Sequence, residues 1–71
     1  MITEEDLFNW FSYHPPIEDQ QNKYLRIREA ALMFARAIIF DTPASPDQTT
    51  AIRKIREAVM TANASIACRG R

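Results

Sequence analysis

Seventy-one residues form at most one domain, and they include a single cysteine, a single histidine and a single glycine. That inventory excludes an intramolecular disulfide, a Cys/His metal site and a Gly-rich phosphate loop. Nine basic residues balance nine acidic ones, so the chain lacks the positive excess that binding to long nucleic acid usually needs.

A hydrophobic share of 46% is high for so short a chain. A core of this size rarely supplies more than about 3–5 kcal/mol, and natural chains add a staple. With disulfide and metal excluded, the remaining staple is association with further copies. The N-terminus is acidic and has no apolar stretch of the signal-peptide kind. The longest aliphatic-aromatic run, Ile38-Ile39-Phe40, is too short to span a bilayer. A free Cys68 fits a reducing compartment. A cytoplasmic protein without a membrane segment is expected.

The pattern is helical throughout, and the fold class it predicts is all-α. Residues 1–71 are read as one domain, a short N-terminal helix followed by a long antiparallel hairpin. The first helix is expected over 4–11, with Thr3 as cap and Asp6 three residues on, in the manner of a capping box. Leu7, Phe8, Trp10 and Phe11 give it a broad apolar face, and Trp10 reads as part of a hydrophobic lid. Pro15-Pro16 ends this segment. The second helix is expected over about 17–41, with Glu18 and Asp19 in its first turn, where the macrodipole favours acids. Pro43 stops it, because the residue before a proline avoids α geometry. Ser45 caps the third helix, Pro46 suits its first position, and Gln48 completes Ser-x-x-Gln. That helix is expected over 46–67, with Cys68-Arg69-Gly70-Arg71 as a fraying tail. The short connection makes the two long helices antiparallel neighbours.

Ile17, Gln20, Tyr24, Ile27, Ala31, Phe34 and Ile38 follow the spacing of a helical seam, as do Ile52, Ile55, Val59, Ala62 and Ile66. A second stripe, Leu25, Leu32 and Ile39, lies about a third of a turn round the second helix. One partner helix cannot cover both stripes. The hairpin therefore carries an apolar back that asks for another chain, and Ala51, Ala58 and Ser65 form a small-residue stripe that permits close helix approach. Arg28 falls between the two stripes, at the edge of both the intrachain seam and the expected subunit contact.

No catalytic constellation is visible. Ser12 and His14 are close in sequence, but nothing marks them as an activated pair, so a hydrolase is not expected. Tyr13 has two readings: an aromatic that staples the turn, or a platform on which a base stacks. His14 is either a packing or capping group or a ligand contact. Arg26 and Arg28 either pair with acids on a solvated face or fork onto phosphate. The basic run Arg53, Lys54 and Arg56 has the same two readings. Asn63 is either a register device or a ligand contact.

Phe11-Ser12-Tyr13-His14-Pro15-Pro16, Lys23-Tyr24 with Ile27-Arg28-x-Ala30-Ala31, Pro43-Ala44-Ser45-Pro46-Asp47 and the run from Ala51 to Ala64 together resemble a family of small phage proteins. These are the cyclic-oligonucleotide sponges of the second anti-CBASS family, whose hairpin is similar to one in a phage anti-Thoeris sponge. The resemblance is strongest over residues 11–66. It implies a compact homohexamer of helical hairpins in the cytoplasm of an infected bacterium. It also implies sequestration, without cleavage and without a cofactor, of cyclic dinucleotides such as cyclic GMP-AMP, and of cyclic trinucleotides at separate sites. Under it, Tyr13 matches the base-stacking tyrosine, with His14 beside it. Arg28 is the best match to the phosphate-contacting basic residue, with Arg26 as the neighbouring choice. Arg69 matches an arginine that helps hold the trinucleotide. Two rival classes remain at this level: a helical protein–protein assembly module, and a small DNA-binding regulator using the basic run of the third helix. Neutral charge and the lack of a helix-turn-helix signal weigh against the regulator.

Overall fold

The computed structural model describes residues 1–70, and Arg71, the last residue of the expected tail, lies outside them. The described residues form three helices and no strand: α1 (Glu4–Phe11), α2 (Gln20–Asp41) and α3 (Pro46–Ala67).

Local chemistry fixes most of the helix ends. At α1 the Thr3 hydroxyl accepts from the Asp6 N–H at 3.1 Å, and the Asp6 carboxylate accepts from the Thr3 N–H at 3.0 Å. That reciprocal pair satisfies two of the donors a helix start leaves open. At α3 the Ser45 hydroxyl accepts from the Gln48 N–H at 3.1 Å, with Pro46 at the first position. The Gln48 side chain does not return to Ser45. Its amide donates instead to the Thr42 carbonyl at 3.2 Å and the Thr42 hydroxyl at 3.1 Å. The expected capping box is thus half formed, and Gln48 ties the start of α3 to the end of α2.

The start of α2 corrects the sequence reading. The helix begins at Gln20, three residues later than the spacing predicts, because Glu18 takes a left-handed φ of 52°. Gln20 makes this break affordable. Its side-chain carbonyl accepts from the Ile17 N–H at 3.0 Å, and its own N–H donates to the Ile17 carbonyl at 3.0 Å. Ile17 is therefore satisfied by a tight turn, and Glu18 and Asp19 precede the helix instead of facing its dipole. Asp19 stands at the cap position without a capping hydrogen bond.

α2 and α3 pack antiparallel along one seam. Gln20, Tyr24, Ile27, Ala31, Ala35 and Ile38 are half-buried on α2, opposite Ile52, Ile55, Val59, Ala62 and Ile66 on α3. The Gln20 amide donates to the Ile66 carbonyl at 3.2 Å and closes the open end of the hairpin. Phe34, assigned to the seam from its spacing, is 59% exposed, and Ala35 takes its place. The straddling three- and four-residue steps let either residue fall on the stripe, and the smaller one lets the helices approach.

A hairpin of this kind has almost no interior. Cys68, at 8% exposure, is the one buried hydrophobic residue among those described. The surface of 5970 Å² exceeds the roughly 4,500 Å² of a compact monomer of this mass. The radius of gyration of 15.2 Å exceeds the roughly 11 Å of a globule of this length. The second stripe of α2 is uncovered, with Leu25, Leu32 and Ile39 at 45%, 50% and 56% exposure. None of the helices is long and apolar enough to cross a membrane. Replacing Ser45 by Ala should cost about 1 kcal/mol. A melt followed by circular dichroism at fixed protein concentration should then show a midpoint lower by roughly 4–8 °C.

Candidate functional site

The open end of the hairpin is where three stretches of chain meet. The backbone carbonyl of Asn9, near the end of α1, accepts from His14 Nε2–H at 2.5 Å and from the Cys68 thiol at 3.8 Å. One oxygen thus joins α1, the turn that follows it and the residue that caps α3. The geometry sets the protonation of the ring: a carbonyl only accepts, so Nε2 carries the hydrogen. Ser12, two residues before His14, donates its hydroxyl to the Phe8 carbonyl. Ser12 and His14, close in sequence, are therefore each turned to a different α1 carbonyl.

Tyr13 lies between these two anchored neighbours and is itself 84% exposed. Its backbone is fastened on both sides while its ring stands in solvent. Pro15 and Pro16 follow directly and stiffen the exit, since each fixes its own φ and restricts the residue before it.

The C-terminal end of α3 runs into a hydrogen-bonded cap over residues 68–70, the stretch where the sequence suggests a fraying tail. Cys68 N–H donates to the Ala64 carbonyl at 2.8 Å, Arg69 N–H to Ile66 at 3.2 Å and Gly70 N–H to Ser65 at 2.8 Å. The last two bonds are those of a Schellman cap, in which the residue after the cap is left-handed and is most often glycine. Here that residue is Arg69, with φ of 56°. Arg69 borders a cleft of about 340 Å³ with Asn9, His14, Gln20 and Cys68. It also borders a second cleft of about 360 Å³ that includes Glu18, Asp19 and Lys23.

Arg28 lies in a different place. It lines an open groove of about 670 Å³ along α2 and α3, with Tyr24, Leu25 and Asn63. Tyr13 is not part of that lining. Arg26 does not line that groove and lies 3.7 Å from the Asp19 carboxylate, with both side chains more than half exposed. The Asp19 carboxyl is held below its ordinary range, first by the hydrogen bond from Asn22 and then by the positive charges of Arg26 and Lys23. An exposed pair of this kind contributes little to stability.

The structure therefore brings Arg69 and His14 to one cleft, gives Arg28 its own groove, sets Arg26 beside an acid, and displays Tyr13 outside both. The backbone of Asn9 and the thiol of Cys68 complete the junction, and neither carries a sequence signal, because a carbonyl acceptor is common to every residue. Two buried side-chain atoms, Asn9 Nδ2 and Asn63 Oδ1, have no hydrogen-bond partner within one chain. Among the described residues no cluster of His, Cys, Asp and Glu is suited to a metal ion.

A family model described as Acb2/Tad1, hairpin domain, matches residues 3–67. No curated protein and no solved structure matches the chain.

A left-handed conformation costs a non-glycine residue about 1–2 kcal/mol, of which glycine's extra freedom when unfolded returns about 0.5–1 kcal/mol. Arg69→Gly should therefore raise the melting midpoint by a few degrees in differential scanning calorimetry, with Arg69→Ala showing no such gain.

Proposed function

The chain belongs to the Acb2/Tad1 hairpin-domain family of anti-CBASS cyclic-oligonucleotide sponges, and from that premise we propose that it binds cyclic di- and trinucleotide second messengers and withholds them from CBASS effectors without cleaving them. The family match over nearly the whole chain carries this reading. The protein acts in the cytoplasm of a bacterium infected by the phage that encodes it, and assembles as a homohexamer of hairpins.

The physical logic is capture between copies. Each chain offers half of a site: an exposed Tyr13, and a groove with Arg28 and Asn63 that the same chain's Tyr13 does not line. When copies clasp, the Tyr13 ring of one stacks on a base over the groove of another, and Arg28 forks onto the ring phosphates, with Arg26 as the neighbouring cation. A cyclic dinucleotide such as cyclic GMP-AMP is thereby enclosed. Arg69, in its separate cleft, contributes to a cyclic trinucleotide site. His14 belongs to the turn that presents Tyr13. The exposed stripe of Leu25, Leu32 and Ile39 supports the assembly, because such a patch gains stability when another chain covers it. Sequestration needs no general base, and His14 Nε2–H is committed to the Asn9 carbonyl.

Two outcomes test this reading. Tyr13→Ala should weaken cyclic dinucleotide binding roughly five- to 150-fold in calorimetry, the range of ~1–3 kcal/mol for one stacked base. The oligomer should be unchanged in sedimentation, and ligand recovered from the wild-type protein after heat denaturation should be intact. Leu32→Glu should instead give single chains at micromolar concentration and abolish binding. Unchanged affinity in the first variant, or tight binding by single chains in the second, would remove the assignment.

A further inference from the structure

We propose that His14 is a positioning residue that acts through Tyr13, and that it fixes the stacking platform without touching the captured ring itself. The inference rests on the assignment of Tyr13 just given. The Tyr13 side chain has nothing of its own to hold it, at 84% exposure. Its direction is set by the backbone on either side. On one side Ser12 is tied to the Phe8 carbonyl. On the other, His14 Nε2–H donates to the Asn9 carbonyl at 2.5 Å, across five residues. Pro15 then biases His14 toward extended backbone, which disfavours losing this bond by a backbone swing into the helical region.

The same Asn9 oxygen receives the Cys68 thiol at 3.8 Å, and Cys68 is the most buried residue of the described chain. The acceptor is therefore seated on the end of α3. His14 thus fixes the Tyr13 turn to the body of the hairpin and not merely to the short α1. A platform held in place before the ligand arrives does not lose that freedom on binding, and affinity gains by the amount saved.

The chemistry gives a sharp set of variants. Gln carries an amide N–H the same number of bonds from the backbone as His Nε2, and Asn carries it one bond short. His14→Ala and His14→Asn should weaken cyclic dinucleotide binding about ten-fold in calorimetry, and His14→Gln should stay within about three-fold of wild type. In a Tyr13→Ala background, His14→Ala should cost less than about two-fold further, because the group it positions is gone. A purely structural role, or a direct contact with the ligand, would instead give the full loss in both backgrounds and overturn the inference. Should the Ala variant fail to fold, imidazole ¹⁵N spectra of the free wild-type protein at mildly alkaline pH decide. They should show the Nε2–H tautomer with a slowly exchanging proton, and an Nδ1–H tautomer or a freely exchanging one would overturn the inference. If Tyr13→Ala alone leaves affinity unchanged, the Tyr13 assignment falls and takes this inference with it. If Tyr13 matters and His14→Ala does not, this inference falls alone.

Discussion

Two helices share one seam, and that seam is nearly all the shelter this chain gives its apolar side chains. α2 and α3 each turn one stripe inward, and the stripe of Leu25, Leu32 and Ile39 remains outside. The α2–α3 seam cannot cover it as well, because a helix has one contact line per neighbour. The large surface and extended shape of the chain follow from this constraint. So does the form the proposed function takes. A protein that cannot close a pocket by itself can still form clefts when copies meet, and the residues proposed to bind border open space on the single chain.

Polar contacts do the local work that a core does elsewhere. The hairpin is fastened at its turn by Gln48 on Thr42, and at its open end by Gln20 on the Ile66 carbonyl. α1 is held by the Asn9 carbonyl, which accepts from the turn and from the cap of α3. These fastenings leave Tyr13 and Arg69 in fixed backbone settings while their side chains border open space. Arg69 carries the clearest sign of a choice against stability: it occupies a left-handed cap position where glycine would sit without strain. Under the proposed function its guanidinium compensates for that strain by holding an anion, and a glycine there could not.

Much of the fold was legible in the chain because it is written in short-range rules. Thr3 with Asp6, Ser45 with Pro46, and Pro43 after Asp41 each act within three residues, and each sets a helix end that the structure has. The Acb2/Tad1 match over residues 3–67 agrees with the resemblance read from the motifs. The misses have a common cause as well. Ile17 and Glu18 fit a helix by spacing, but Gln20 offered Ile17 a competing turn. Gln48 fits a capping box, but its side-chain amide donates to Thr42 instead. Phe34 fits the seam by period, and Ala35 was chosen by how closely two helices approach. In each case the periodic pattern allowed two outcomes, and a specific side-chain contact or the packing of the two helices chose between them.

By itself, then, the sequence determined which stretches are helical, where caps and prolines bound them, and that more apolar surface exists than one hairpin hides. These follow from periodicity and from side chains meeting backbone within a turn. Tertiary structure alone decided that Cys68 is sheltered and its cap hydrogen-bonded, that His14 faces Asn9, and that Arg28, Arg69 and Tyr13 occupy three separate settings. The Cys68 bond to Asn9 spans 59 residues and the Gln20 bond to Ile66 spans 46. Contacts of that reach leave no spacing in the chain, because they depend on where folding brings a common backbone carbonyl and not on which residue carries it.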